Sequence, residues 1–325
     1  MLQIRRASAT AAKSAHNEES AYVKSNKRVK DADGYVWTAI ARKPPKSAIN
    51  GITTGELRDK WQRITGERLN YEKHLKQHAE GVLALRKLGV DVIVLDAEES
   101  LPDSKYMQDV AIVVKDVAIL ASFGQDGRRN EVGVVKEILT GIGLQTVELK
   151  GYDAILEGGN VVRSGNVMLV GMTYGREDIR TNGEGVKQLA HIVNEVAPEI
   201  TVVGVPYTGV LHLGTGMERM TDNVALMSPM CTINLYDAYL PVKNGSGFML
   251  PFREIYQLSR SEAYGANILA VNDGVVIPEG YPTVREYASR YYNKERIIEI
   301  DKSQDRIMDG SITCDFLMFK KLARE

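Results

Sequence analysis

Four short runs hold the side chains that could do chemistry. Pro102-Asp103-Ser104-Lys105-Tyr106-Met107-Gln108-Asp109 sets two acids just ahead of a very apolar stretch. Glu157-Gly158-Gly159-Asn160 puts an acid beside glycines, whose missing side chains let a ligand approach the backbone. Val210-Leu211-His212-Leu213 reads as an apolar strand carrying a histidine, and Asp309-Gly310-Ser311-Ile312-Thr313-Cys314 turns into the last strand and ends on a thiol. Singly, each has a plainer reading: a core histidine, a small buried hydrophobe, a turn, a helix cap. Together they describe a thiol nucleophile, an imidazole acid/base and three carboxylates able to hold a cation.

Other chemistries lack their residues. There is no Walker sequence and no HExxH, and Arg219 stands where the third glycine of a dinucleotide fingerprint would follow Gly214-Thr215-Gly216. The five histidines show no ligand spacing, so a metal site is not expected. With 41 basic against 42 acidic residues and a net charge of -1, nothing draws the chain to nucleic acid or an anionic membrane. Apolar runs such as Val167–Val170 fall far short of the roughly 20 residues of a membrane span. Cys231 and Cys314 form no CxxC pair and no disulfide framework, which suits a reducing compartment such as the cytoplasm. Residues 1–17 carry Arg5, Arg6 and Lys13 and no acid, a pattern shared by mitochondrial presequences and flexible arms.

The elements that must position these runs repeat. Ala111–Val114 and Val117–Ala121 flank a turn at Lys115-Asp116; Val132, Val135, Ile138, Leu139 and Ile142 stripe a helix; Thr146–Leu149 is a strand. The order returns with Val161–Arg163, Val167–Val170, a helix striped by Val186, Leu189, Ala190 and Val193, and Thr201–Val205. It returns again with Ile268–Val271, Val275–Ile277, a helix through Val284, Tyr287, Ala288 and Tyr291, and Ile297–Ile300. A less regular copy pairs Gly209–Leu213 with Asn223–Met227, its helix and return strand falling within Cys231–Leu258 around a Gly245-Ser246-Gly247 insertion. The last copy is split between the chain ends: Ser311–Phe319, Val36–Ala41, a helix through Leu75, Val82, Leu85 and Leu88, and Val90–Leu95. Five ββαβ modules at a spacing of about 50 residues predict a five-module α/β propeller around a central pore. Residues 1–34 then form an arm and 35–325 a single domain. Each of the four runs opens a different module, so in a ring they converge at one mouth.

From about Val36 to the C-terminus the chain resembles the dimethylarginine dimethylaminohydrolase family of guanidine-modifying (pentein) enzymes. The resemblance rests on the run from Ala41 to Ile52, Pro102–Asp109, Arg128-Arg129-Asn130-Glu131, Leu156–Asn160, Arg180-Thr181-Asn182, Leu211-His212-Leu213, Tyr264-Gly265-Ala266-Asn267 and Asp309–Cys314, in that order. It implies a pentein propeller and hydrolysis of N-methylated arginines to citrulline and an amine, with no cofactor, by a monomer or homodimer. It further implies Cys314 as nucleophile, His212 as general acid/base, Glu157 and Asp109 gripping the guanidinium with Asp103 beside them, and Arg128 and Arg180 on the substrate carboxylate. The carbonyls of Ala48, on a lid loop, and Met308 would receive the α-amine.

The chain departs from the family at several points. Gln108 replaces a glutamate and Asn160 an aspartate, removing negative charge near the cation. Arg176, in a lengthened loop, competes with Arg180 for the carboxylate, and Ala48 is smaller than the usual lid residue. Gly214 replaces the aspartate that arginine deiminases carry, which favours the dimethylaminohydrolase branch. A sibling enzyme acting on arginine, agmatine or another guanidine, an amidinotransferase, and a non-catalytic guanidine-binding protein stay open as alternatives.

Overall fold

The computed structural model describes residues 28–51, 68–173, 178–242 and 250–323. Residues 1–27 of the expected arm, Ile52 of the resembling run, Arg176 and the Gly245-Ser246-Gly247 insertion lie outside the described residues.

β1 (Tyr35–Arg42) pairs antiparallel with the last strand, Phe316–Leu322, and, after α1 (Tyr71–Lys87), parallel with β2 (Asp91–Leu95). Asn70 starts α1 by accepting the Lys73 amide, and buried Val82 and Leu85 turn its apolar stripe inward. β3 (Ala111–Val114) and β4 (Val117–Leu120) form a hairpin through Lys115 at φ +52°, and β5 (Gln145–Val147) returns parallel after α2 (Arg129–Gly141). β6 (Val161–Ser164), β7 (Val167–Met172), α3 (Gly183–Val196) and β8 (Thr201–Thr208) repeat the arrangement.

After a single short turn of helix, α4 (Leu213–Gly216), β9 (Met217–Thr221) pairs with β10 (Val224–Met227). β11 (Thr232–Ile233) joins β8 of the preceding module, and β12 (Glu254–Gln257) lies parallel to β10. β13 (Leu269–Val271), β14 (Gly274–Pro278), α5 (Pro282–Ala288) and β15 (Ile297–Ile300) complete another unit. α6 (Ser303–Ile307) then leads to β16 (Phe316–Leu322), which closes the first sheet.

Five sheets result, and the core shows how they are joined. Successive strand side chains point to opposite faces. On β3 and β4, Ile112, Val114, Val117 and Ile119 therefore pack toward the third module, while Ala111, Ala118 and Leu120 pack toward the first. The remaining clusters bridge the third and fourth modules (Leu169, Val205 with Met217, Ala225), the fourth and fifth (Met220, Leu226 with Val275, Ile277), and the fifth and first (Leu269, Val276 with Val82, Leu85). Every module thus shares apolar surface with two neighbours and the ring closes as a five-module α/β propeller. No helix among the described residues is long and apolar enough to cross a membrane.

Three local expectations are corrected. Gly209–Leu213 is not a strand: Gly209 turns at φ +89° against the Met230 carbonyl, and the Leu213 amide is taken by the Asn160 side chain rather than by a sheet. The pairing strand is β9, whose Met-Glu-Arg-Met-Thr sequence holds one β-branched residue, at its end. The helix expected within Cys231–Leu258 is absent among its described residues, where β11 and β12 stand instead. The final strand starts at Phe316 rather than Ser311, because Thr313–Asp315 form a 3-10 turn. Contact with the body also begins before Gly34: the Val29 amide donates to the Gly89 carbonyl and Arg28 pairs with Asp91.

Candidate active site

Cys314 and His212 both sit on turns at module entrances rather than within strands. Cys314 lies in the 3-10 turn before β16, buried with Tyr106 and Met308. Its carbonyl accepts the Gln108 amide, which ties the thiol-bearing turn to the Asp103–Asp109 run. His212 immediately precedes α4. Its Nε2 lies 2.7 Å from Glu157 Oε2 and its Nδ1 3.8 Å from Asp109 Oδ1.

Close approach requires glycine here. A Cβ on Gly159 would fall 2.4 Å from Asp109 Oδ1 and 2.9 Å from the His212 ring, and one on Gly158 2.1 Å from the Gln108 carbonyl. The Glu157-Gly158-Gly159 sequence is therefore what allows acid, imidazole and second acid to meet.

The electrostatics follow from burial. Ligand atoms of Asp109, Glu157 and His212 all lie within 4.8 Å of one another, enough to surround one cationic centre. Burial pushes the Asp109 carboxyl up, but the His212 and Arg128 charges overcome it and hold it below the usual carboxylate range. Among the described residues, Asp109 Oδ1 and Glu157 Oε1 have no hydrogen-bond partner although both are buried. Two unsatisfied carboxylate oxygens in a closed site are costly unless a donor-rich cation arrives. Burial, and next the Asp109 charge, push the Cys314 thiol well above the ordinary cysteine range, so Cys314 is held as a thiol.

The two arginines expected to read a carboxylate are placed differently. Arg128 is fully buried and engaged, with Nη1 donating to Asp109 Oδ2 at 2.8 Å and Nε and Nη2 donating to Glu131. In this arrangement it holds Asp109 and Glu131. Arg180 is buried with Nη1 3.7 Å from Glu157 Oε2, and its Nε and Nη1 have no hydrogen-bond partner. It is positioned by its neighbours: Thr181 Oγ1 accepts the Glu157 amide and the Asn160 side chain, and Asn182 caps α3 by accepting the Gly185 amide.

The other expected residues form a second group. Asp103 lies against the backbone at Gly51, where an added Cβ would meet Asp103 Oδ1 at 2.5 Å, the Ala48 carbonyl at 3.1 Å and Met308 Cε at 3.2 Å. Asp103, Ala48 and Met308 thus come together, and Tyr106 joins Met308 to Cys314. The Ala48 carbonyl accepts the Gly51 amide within its own turn. Gln108 is neutral, and its Oε1 accepts from Thr313 Oγ1. Asn160 is buried, with Oδ1 on the Leu213 amide and Nδ2 on Thr181, so it holds the His212 turn.

Residues without an assigned role complete the frame. Asn267 donates to the Gly214 carbonyl and Thr313 Oγ1 and accepts the Thr313 amide, bridging the two reactive turns. It lies in the Tyr264–Asn267 run, where an asparagine after a Gly-Ala pair was the available signal. Beneath Cys314, Lys105 and Lys302 pair with Asp305 and Asp315, and His74 joins Asp305 at 2.9 Å, all buried.

The family profile described as N,N dimethylarginine dimethylhydrolase, eukaryotic, matches residues 50–227. Dimethylarginine dimethylaminohydrolase of Pseudomonas aeruginosa is 30% identical over 281 residues, 86% of this chain and 98% of the relative. The enzyme of the same name from Streptomyces coelicolor is 28% identical over 211 residues, 64% of this chain and 76% of the relative. A solved structure of the Pseudomonas aeruginosa enzyme, a cysteine-to-serine mutant complexed with citrulline, superposes with a TM-score of 0.71 at 27% identity, covering 87% of this chain and 98% of the other. The N-terminal domain of a cyanobacterial arginine dihydrolase has a TM-score of 0.70 at 15% identity over 87% and 97% of the two chains, a likeness of fold.

Proposed function

This chain belongs to the dimethylarginine dimethylaminohydrolase family, and from that premise we propose that it hydrolyses N-methylated arginines to citrulline and methylamine or dimethylamine, with Cys314 as nucleophile. One observation carries the reading: the paired, partnerless carboxylate oxygens of Asp109 and Glu157 beside His212.

A guanidinium is flat and resonance-stabilised, so it is a poor electrophile until it is held. Asp109 and Glu157 accept its N–H groups in the plane and leave the face of its carbon open. The cation also offsets the Asp109 charge that opposes ionisation of Cys314, so substrate helps create the thiolate that attacks it. Attack forms the Cys314 Sγ–carbon bond. As the tetrahedral adduct collapses, His212 protonates the departing amine and the carbon–nitrogen bond breaks. A thiouronium remains on Cys314. His212 then takes a proton from water, hydroxide adds to the same carbon, and the carbon–sulfur bond breaks to give citrulline, the hydroxyl proton passing to the departing sulfur. Arg180, whose buried Nε and Nη1 lack hydrogen-bond partners, holds the α-carboxylate, and the Ala48 and Met308 carbonyls with Asp103 hold the α-amine.

In this reading, residues 35–325 act as one catalytic unit, as a monomer or homodimer in the reducing cytoplasm, on a small guanidine. The neutral Gln108 keeps a second client in view, a less substituted guanidine such as arginine or agmatine. The test supplies asymmetric dimethylarginine, monomethylarginine, arginine and agmatine and measures ureido products. Citrulline from the methylated arginines, lost in Cys314→Ser, is expected. No product from either methylated arginine, or full activity in the serine variant, rejects the reading.

A further inference from the structure

One ionisable side chain next to the site has no part in this chemistry. Glu218 projects from β9 toward Gly214, two residues after His212. Its Oε1 lies 2.9 Å from where a Gly214 Cβ would stand, a point also 2.9 Å from the Gly159 carbonyl and 3.8 Å from Gln108 Nε2. The carboxyl also lies beside the Thr313 and Gln108 side chains. It therefore touches the residue before Cys314, the residue before Asp109, and the turn that carries His212.

We propose that Glu218 is a positioning residue for Cys314, acting through the Thr313 hydroxyl. Thr313 Oγ1 has one proton and two acceptors for it, Gln108 Oε1 at 3.0 Å and the Glu218 carboxyl. It already accepts from Asn267 Nδ2 at 2.8 Å, so the direction of that proton is its remaining freedom. A neutral Glu218 leaves the proton on Gln108, whereas a carboxylate draws it away and takes the Gln108 amide as well. The 3-10 turn bearing the thiol then sits in one of two hydrogen-bond settings.

Glu218 as a whole is half-buried and its carboxyl is the enclosed end; burial pushes it up to about 8, so both settings lie within an accessible pH range. Arg219 and Asp222 lie on its own hairpin, and the elements packed against β9 carry Arg163, on β6, and His212, before α4. Arg219 is the cation that acts on it.

The inference rests on Cys314 being the reactive thiol of the proposed function, but its test needs no substrate. Alkylation of Cys314 by iodoacetamide, followed from pH 6 to 10 and assigned by peptide mass so that Cys231 is counted separately, is compared among wild type, Glu218→Gln and Glu218→Ala. Glu218→Gln keeps the shape and cannot ionise. We expect the wild-type rate to lag Glu218→Gln by at least threefold at pH 9 while the two curves converge below pH 7. Glu218→Ala should change the rate tenfold across the range, with circular dichroism confirming its fold. Superimposable wild-type and Glu218→Gln curves overturn the proposal, whatever the substrate panel has shown; a citrulline-negative enzyme with divergent curves overturns only the assigned substrate.

Discussion

Glu157 offers one oxygen to His212, at 2.7 Å, and keeps the other buried without a partner. One carboxylate therefore faces two ways, toward the imidazole that moves protons and toward the place where a guanidinium would lie. The Gly158–Asn160 3-10 turn that follows it and the Thr181 hydroxyl that accepts its amide fix both directions.

Glu157→Gln is expected to retain the fold and lose both services, because the amide presents a donor where an acceptor is needed. Its kcat/KM for the best guanidine should fall by about 10²–10⁴, the usual range for a displaced acid/base. Steady-state kinetics with a thermal melt as control would measure this, and activity within threefold of wild type would remove Glu157 from the mechanism.

The two arginines should separate cleanly. Arg128 lies between Asp109 and Glu131, so Arg128→Met leaves two buried acids facing each other, which typically costs about 3–5 kcal/mol. Arg180 has unsatisfied donors, so Arg180→Met should cost little stability and instead raise KM by roughly 10–100-fold, the worth of a hydrogen bond to a charged group. Urea titrations and substrate kinetics on the two variants decide between them. The reverse pattern would return the carboxylate to Arg128.

Much of this arrangement is legible in the sequence, for a physical reason. The hairpins are written in β-branched residues and turn formers, so the paired strands at Ala111–Leu120 and Val161–Met172 follow from short apolar runs on either side of a turn. The identity of the reactive residues is also legible, since thiol, imidazole and acids have few substitutes. Their local conformation is not. His212 and Cys314 sit in apolar runs that periodicity reads as strands, whereas tertiary partners, Asn160 on the Leu213 amide and Asn267 on the Thr313 amide, draw each into a turn. Long-range hydrogen bonds of this kind carry no local signature. The same holds for Arg128: the resemblance gives it a ligand, and nothing local in the sequence says that Glu131, one helical turn away, accepts its Nε and Nη2.

Acid should destabilise the fold early. Burial pushes the His78 imidazole down to about 3 and lowers His74 as well, while the unfolded chain titrates near 6.5. A histidine whose folded value is depressed contributes its full stability above the unfolded value. It loses that stability as pH falls from 6.5 toward 3, because the unfolded state takes up a proton the native state refuses. His78 alone gives a slope of about 1.4 kcal/mol per pH unit in that window. Asp305 and Asp315, held low by Lys105 and Lys302, add losses only below about 3.8. Urea midpoints at pH 7.5, 6.0 and 5.0 should fall steeply for wild type and more gently for His78→Leu. Parallel slopes would place the acid sensitivity elsewhere.

A cationic ligand should activate the thiol that it meets. Burial and the Asp109 charge both oppose ionisation of Cys314, so a neutral reagent encounters mostly thiol. An amidinium-bearing reagent brings its own positive charge between the Asp109 and Glu157 oxygens that lack partners. It cancels the repulsion felt by the forming thiolate and is held in place while the sulfur attacks. 2-Chloroacetamidine should therefore alkylate Cys314 at least 100-fold faster than chloroacetamide once both rates are normalised to free cysteine. Asp109→Asn removes the charge at both ends of this argument. It should speed the neutral reagent, whose thiolate is no longer opposed, and slow the cationic one, whose anchor is gone, so the ratio should fall by at least tenfold. A ratio that survives the substitution would mean that the cation is held by other groups and that Asp109 serves only to fix Arg128.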